Sequence, residues 1–166
     1  MQNKGIRILL WVLTIAMCVV IFAFSEQDGS KSMETSGVIA EPIAKQIASK
    51  RPPMTKSQYR KLLDEVQHYV RKTAHFSEYA LLSALVFLLM TSYGKHRRGL
   101  ISTLFCALYA SGDELHQLIG GSRTGMWQDV LLDTCGAAVG ALVCWGILVL
   151  TASMLRKRRL REETAK

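Results

Sequence analysis

The sequence predicts an all-α polytopic membrane protein with four transmembrane helices and one extracytoplasmic amphipathic helical segment. Three observations carry this prediction. Hydrophobic residues make up 49% of the 166 positions. The charged residues fall in short blocks, leaving uninterrupted apolar stretches near the ~20 residues a helix needs to cross a bilayer. Between the first two such stretches lies a polar segment, 25–72, too long for a turn and too short for a domain. The whole chain, 1–166, reads as one unit.

The first span is Ile6–Phe24, interrupted only by Arg7 and Thr14. Lys4 and Arg7 before it and Ala23-Phe24-Ser25 after it also fit a signal peptide, but its apolar run exceeds the ~7–15 residues of a signal core, which favours a retained helix. The outer segment divides at Pro52-Pro53. Its first helical pattern, Val38 to Ile47, contains Pro42 and is weak. In its second, Tyr59, Leu62, Leu63, Val66, Tyr69 and Val70 recur at steps of three and four, one apolar stripe on a charged helix. Thr55 or Ser57 can cap it, and such a helix would lie along the outer leaflet or cover the bundle as a lid. The second span is Ala74–Ser92, polar in its first turn through His75, Glu78 and Tyr79. The third, Leu100–Ile119, is apolar until Asp113, Glu114, His116 and Gln117. The fourth, Trp127–Met154, is long enough to tilt or emerge. Cys18, Cys106, Cys135 and Cys144 all fall within spans without CxxC spacing, so apolar packing is their expected role.

Lys4 and Arg7, then Lys95, Arg97 and Arg98, then Arg156, Lys157, Arg158, Arg159 and Arg161 flank the spans on one side. Excess Lys and Arg marks the cytoplasmic side of bacterial membrane proteins. Both termini are therefore expected inside. The net charge of +8 reads as topology and attraction to anionic lipid, with no nucleic-acid partner implied. Arg71 and Lys72 stand against this pattern, at the outer end of span 2.

On that topology the intramembrane polar residues of three spans reach one outer layer. His75, Glu78 and Tyr79 share a helix face, with Arg71 and Lys72 a turn above; Asp113, His116 and Gln117 share another. Asp129, Asp133, Gly136 and Gly140 form a stripe that should face the bundle, its glycines allowing close helix packing. An acid at a helix centre costs ~2.5–3.5 kcal/mol to insert, so Glu78, Asp113, Glu114, Asp129 and Asp133 require compensation. Arg71, Lys72, Arg123, a protonated His75 or His116, bound water, a metal ion or protonated carboxyls could each supply it. A structural ion-pair network is the plainer reading for any single residue; for the set, intramembrane ionisable residues are functional-site candidates. His116 is read as a helix-end contact or a partner of Asp113, and Trp127 as an interfacial anchor.

The same residues resemble the VanZ-like family of bacterial membrane proteins, named for a member associated with low-level teicoplanin resistance. The matching pieces are Phe22-Ala-Phe-Ser25 with Ser30, Ser32 and Ser36, Arg71-Lys72-x-x-His75-x-x-x-Tyr79, Asp113-Glu114-x-x-Gln117, and Arg123 before Asp129-x-x-x-Asp133-x-x-Gly136. Asp133 departs from the pattern, where relatives are expected to carry Asn. The resemblance implies a cytoplasmic-membrane location and a link to glycopeptide tolerance, and leaves the reaction open.

Three classes of function fit. In the first, Arg71, Lys72, Tyr79, Gln117 and Arg123 bind an anionic or lipid-linked envelope headgroup at the outer leaflet. In the second, His75, Asp113, Glu114, Asp129 and Asp133 supply metal ligands or general acids and bases for hydrolysis or transfer on such a lipid. Ser122-Arg123-x5-Asp129-x3-Asp133 also has the spacing of the third motif of type 2 phosphatidic acid phosphatases, with Asp129 in place of that family's nucleophilic histidine and the rest of the signature missing. The third, a transporter or scramblase, would place polar residues nearer the midplane. Cofactors and oligomeric state are not legible.

Overall fold

A computed structural model describes residues 4–26, 29–120 and 127–164. Those residues form five helices, α1 (Lys4–Ser25), α2 (Gly29–Ser49), α3 (Lys56–Ser92), α4 (Arg98–Gly120) and α5 (Trp127–Thr164), with no strand among them.

Side-chain contacts fix the helix directions. Near the start of α1, the Arg7 guanidinium donates to the Ser92 carbonyl at 2.9 and 3.2 Å, and Trp11 donates to the Tyr93 hydroxyl at 3.2 Å. The beginning of α1 therefore lies at the end of α3, and the two run antiparallel. Along α1 and α4 the pairing advances in step, with Tyr109 donating to the Cys18 carbonyl at 2.7 Å and Gln117 to Ser25, so they run parallel. Between α3 and α5, Lys72 pairs with Asp129, while Gly136 and Gly140 lie on Phe76 and Ala80, again in parallel. The core of this four-helix bundle is Ile21, Tyr79, Leu82, Val86, Cys106, Ala110 and Ala137. Gly94, at φ +67°, makes the left-handed residue of the tight turn between α3 and α4.

The outer segment differs from its expected form. Its second helix and span 2 are one helix, α3, of 37 residues. No glycine or proline interrupts Val70-Arg71-Lys72-Thr73-Ala74, so nothing ends the helix at the membrane boundary. At ~1.5 Å per residue α3 is about 55 Å long, against ~30 Å for a hydrocarbon core. Its first half cannot lie along the leaflet as a separate helix; it continues the axis of the span. Thr55, not Ser57, caps it, through a reciprocal capping box with Gln58. The weak first pattern becomes the full helix α2, with Pro42 exposed on its outer side. Ala40 and Ala44 of α2 close on Leu62 and Val66 of α3, and Gln67 donates to the Met33 carbonyl at 3.4 Å. Tyr69 leaves the expected stripe and is 70% exposed.

Three helices, α1, α3 and α5, are long and apolar enough to cross a membrane. Their outward residues are apolar, as in Ile8, Val12, Ile15 and Val19 on α1 and Leu142, Val143, Ile147 and Leu150 on α5. A face of this extent suits lipid rather than water. The fourth expected span, α4, does not meet that measure, because Asp113, Glu114, His116 and Gln117 fall in its last two turns. Asp113 and Gln117 are nevertheless buried, and Leu100, Ile101, Leu104, Phe105, Leu108, Leu115, Leu118 and Ile119 are exposed, together with Ser111 and His116.

Candidate functional site

The site is built where α5 meets α3. A Cβ at Gly136 would stand 3.0 Å from the Phe76 carbonyl carbon, and one at Gly140 would stand 2.8 Å from that of Ala80. Only glycine lets the two backbones touch, which is the small-residue packing expected of this spacing. One turn above Gly136 the same face carries Asp133, 3% exposed, and one turn above that Asp129. The close approach therefore presses two carboxylates into the helix interface.

Lys72 of α3 meets Asp129 in an ion pair, with both side chains about a third exposed. Below this pair the surroundings become dry. Tyr79 is fully buried, and its electrostatic neighbours include Asp133 and Asp113. Those of Asp133 are Glu114, Asp113 and Glu78, with Lys72 the opposing charge. Asp113 is 8% exposed and takes a 3.4 Å hydrogen bond from Gln117, which also donates to Ser25. Ser25 in turn lies within hydrogen-bonding reach of the Asp113 carboxylate. The last residue of α1 thus closes the layer from a fourth side.

Three polar atoms in this layer are buried without a hydrogen-bond partner among the described residues: Tyr79 Oη, Asp113 Oδ1 and Asp133 Oδ1. Such atoms leave a desolvation cost of ~1–3 kcal/mol each, more when charged, unless something supplies the bond.

Of the residues expected to form the site, Lys72, Tyr79, Asp113, Gln117, Asp129 and Asp133 are brought together, with Glu78 and Glu114 in electrostatic range. Arg71 and His75 are half-buried on α3 on either side of Lys72 along the chain. Arg123, with Ser122, lies outside the described residues. His116 makes a contact at the helix end, its Nδ1 3.1 Å from Glu26 and Phe22 beside its ring, and it is also an electrostatic partner of Asp113. No three His, Cys, Asp or Glu side chains among the described residues come together closely enough to hold a metal ion. Ser25 was not expected as a site residue, although its place at the outer end of span 1, level with Gln117, was the signal available for it.

The family described as VanZ/LLP1 matches residues 10–150, which reaches from within α1 to within α5 and includes every residue of this layer. No curated protein and no solved structure matches the chain.

Proposed function

The chain belongs to the VanZ/LLP1 family and is a membrane protein, and from that premise we propose that it holds the headgroup of a cell-envelope lipid or lipid-linked precursor at the outer leaflet. In this reading α4 is the fourth span. Its apolar outer face and its alignment beside α1 and α3 support that. The basic clusters at Lys4, Arg7, Lys95, Arg97, Arg98 and 156–161 then mark the cytoplasmic side of the bacterial inner membrane, and the α2–α3 hairpin projects outward.

One observation carries the proposal. Tyr79 Oη, Asp113 Oδ1 and Asp133 Oδ1 are buried without hydrogen-bond partners among the described residues, beneath a Lys72–Asp129 pair that is about a third exposed. A purely structural network would complete its own hydrogen bonds. In this reading the layer meets a headgroup at the membrane surface, with Lys72, Arg71 and Arg123, the last outside the described residues, as the groups for phosphate and Gln117, Asp113 and Glu114 as those for hydroxyls. Teicoplanin tolerance would follow from occupancy of a wall-precursor or surface lipid, without contact between drug and protein.

The test is lipid retention by the purified protein together with teicoplanin tolerance of cells producing it. Lys72→Ala and Arg123→Ala should each lower retention and tolerance while the protein still folds; unchanged values for both variants would sink the proposal.

A catalytic second reading is favoured by one feature, the grouping of Asp133 with Glu114 and Asp113, since paired carboxyls in a dry site can divide acid and base roles. Turnover of phosphorylated or glycosylated lipids, lost in Asp133→Asn, would establish it; a full panel giving none with added Mg²⁺, Mn²⁺ or Zn²⁺ would remove it.

A further inference from the structure

We infer that the group admitted to the buried layer is a primary ammonium, so that the ligand is an aminophosphate headgroup seated with its phosphate at Lys72 and its N–H donors on Asp113, Asp133 and Tyr79. The inference rests on the headgroup reading above and narrows it to a chemical class.

The partnerless atoms decide what is missing. Asp113 Oδ1 and Asp133 Oδ1 are carboxylate oxygens, while Tyr79 Oη is a hydroxyl that can both donate and accept. A carboxylate accepts and does not donate. The two carboxylates therefore lack donors, and an ionised phosphate, which brings only acceptors, cannot supply them. A sugar brings hydroxyl donors without charge. A trimethylammonium brings charge without an N–H donor. A primary ammonium brings three donors and a positive charge in the smallest volume.

Charge points the same way. Asp133 has Glu114, Asp113 and Glu78 as like-charge neighbours and Lys72 as the opposing charge. Asp129 already holds Lys72. A cation entering this layer meets several carboxyl groups in a low-dielectric space.

The order of groups along the helices matches an aminophosphate. Lys72 and Asp129 form the rim; Asp133 lies one helical turn, ~5.4 Å, further in on α5. A phosphate arriving at the rim can take Lys72 from Asp129, as Lys is a compact, mobile point charge. Asp129 is then released beside the incoming ammonium, which the two-carbon spacer of an ethanolamine headgroup places a short step inward. The rim ion pair thus exchanges partners rather than being left broken.

The full-length protein in micelles, challenged with equimolar phosphatidylethanolamine, phosphatidylcholine and phosphatidylglycerol of matched chains, gives the test by native mass spectrometry. Wild-type protein should retain the ethanolamine lipid about tenfold over both others, in the range of one good charge-assisted contact (~1.4 kcal/mol per tenfold). Free glycerophosphoethanolamine should displace it, and glycerophosphocholine should not; if only intact lipid competes, the ammonium is read in the context of acyl chains. Asp133→Asn and Asp113→Asn should each abolish the preference, with Glu34→Gln on the outer hairpin unchanged. Equal retention of ethanolamine and choline lipids, or a glycerol-lipid preference that falls in Lys72→Ala, overturns the inference and leaves the headgroup reading standing. Retention of no lipid in a manner sensitive to these residues overturns both. The wild-type ordering decides even if a variant fails to fold.

Discussion

The contact of α5 with α3 yields the sharpest mechanical prediction, the effect of a single methyl at Gly140. A Cβ there would stand 2.8 Å from the Ala80 carbonyl carbon and 2.9 Å from its Cα, and closer still to its oxygen. Carbon atoms pack at ~3.5–4.0 Å, so the helices would have to part by roughly 0.6–1.2 Å. The neighbour is backbone within a helix and cannot rotate away. Overpacking of this kind costs ~1–3 kcal/mol, and a backbone obstacle belongs at the upper end. Against it stands the ~1 kcal/mol by which alanine is the better helix former. The expected balance for Gly140→Ala is about 2 kcal/mol of destabilisation. Gly146, on the same helix two turns below, has nothing within 4 Å of its Cβ position, so Gly146→Ala should be neutral or about 1 kcal/mol stabilising. Unfolding in mixed micelles at rising SDS fraction measures both. If the two variants unfold within 0.5 kcal/mol of each other, roughly the scatter of independent sites, the glycine contact does not hold these helices and the placement of Asp133 loses its cause.

Other expectations follow from the same geometry. In a double-mutant cycle, Lys72→Ala with Asp129→Ala should show a coupling of about 1 kcal/mol, within the ~0.5–3 kcal/mol known for contacting residues, because each group keeps about a third of its exposure; additive effects would deny the pair. Ser25→Ala should cost about 1 kcal/mol by removing the acceptor for Gln117, read in the same unfolding assay, and no loss would mean that the end of α1 is not tied to the site. For topology, single cysteines replacing Lys50, His96 and Glu163 in a cysteine-free background should report by impermeant thiol labelling of intact cells. Position 50 should react from outside, and positions 96 and 163 only after permeabilisation; labelling of 163 from outside would deny α4 its crossing.

The bundle was legible because apolar stretches of membrane length and blocks of charge are properties of composition, and the α1, α3 and α5 assignments needed nothing more. The convergence of three helix ends followed from chain direction alone, so Lys72, Tyr79, Asp113, Gln117 and Asp133 could be placed in one layer before any contact was seen. Partner choice was not legible in this way. The Glu26 contact of His116 arises because the rotation of α4 turns residue 116 toward the end of α1, and rotation depends on packing. The fusion of the outer helix with span 2 was missed because an amphipathic period followed by an apolar run reads as two elements. Only the lack of a breaker between residues 70 and 74 argued for one.

α4 shows how averaging hides an arrangement. Its mean hydropathy is lowered by Asp113 and Gln117, although both point into the bundle while leucine, isoleucine and phenylalanine cover the outside. A helix that contributes a polar wall to an intramembrane site must look less like a span the more it contributes. Asp113 and Gln117, which make α4 poor by composition, are the ones that join the layer, where Ser25 and the close glycine packing of α5 help to bury them. Loosening that packing should therefore expose Asp113 and Asp133 together, so that Gly140→Ala would weaken headgroup retention although residue 140 lies two turns below Asp133, against the Ala80 backbone.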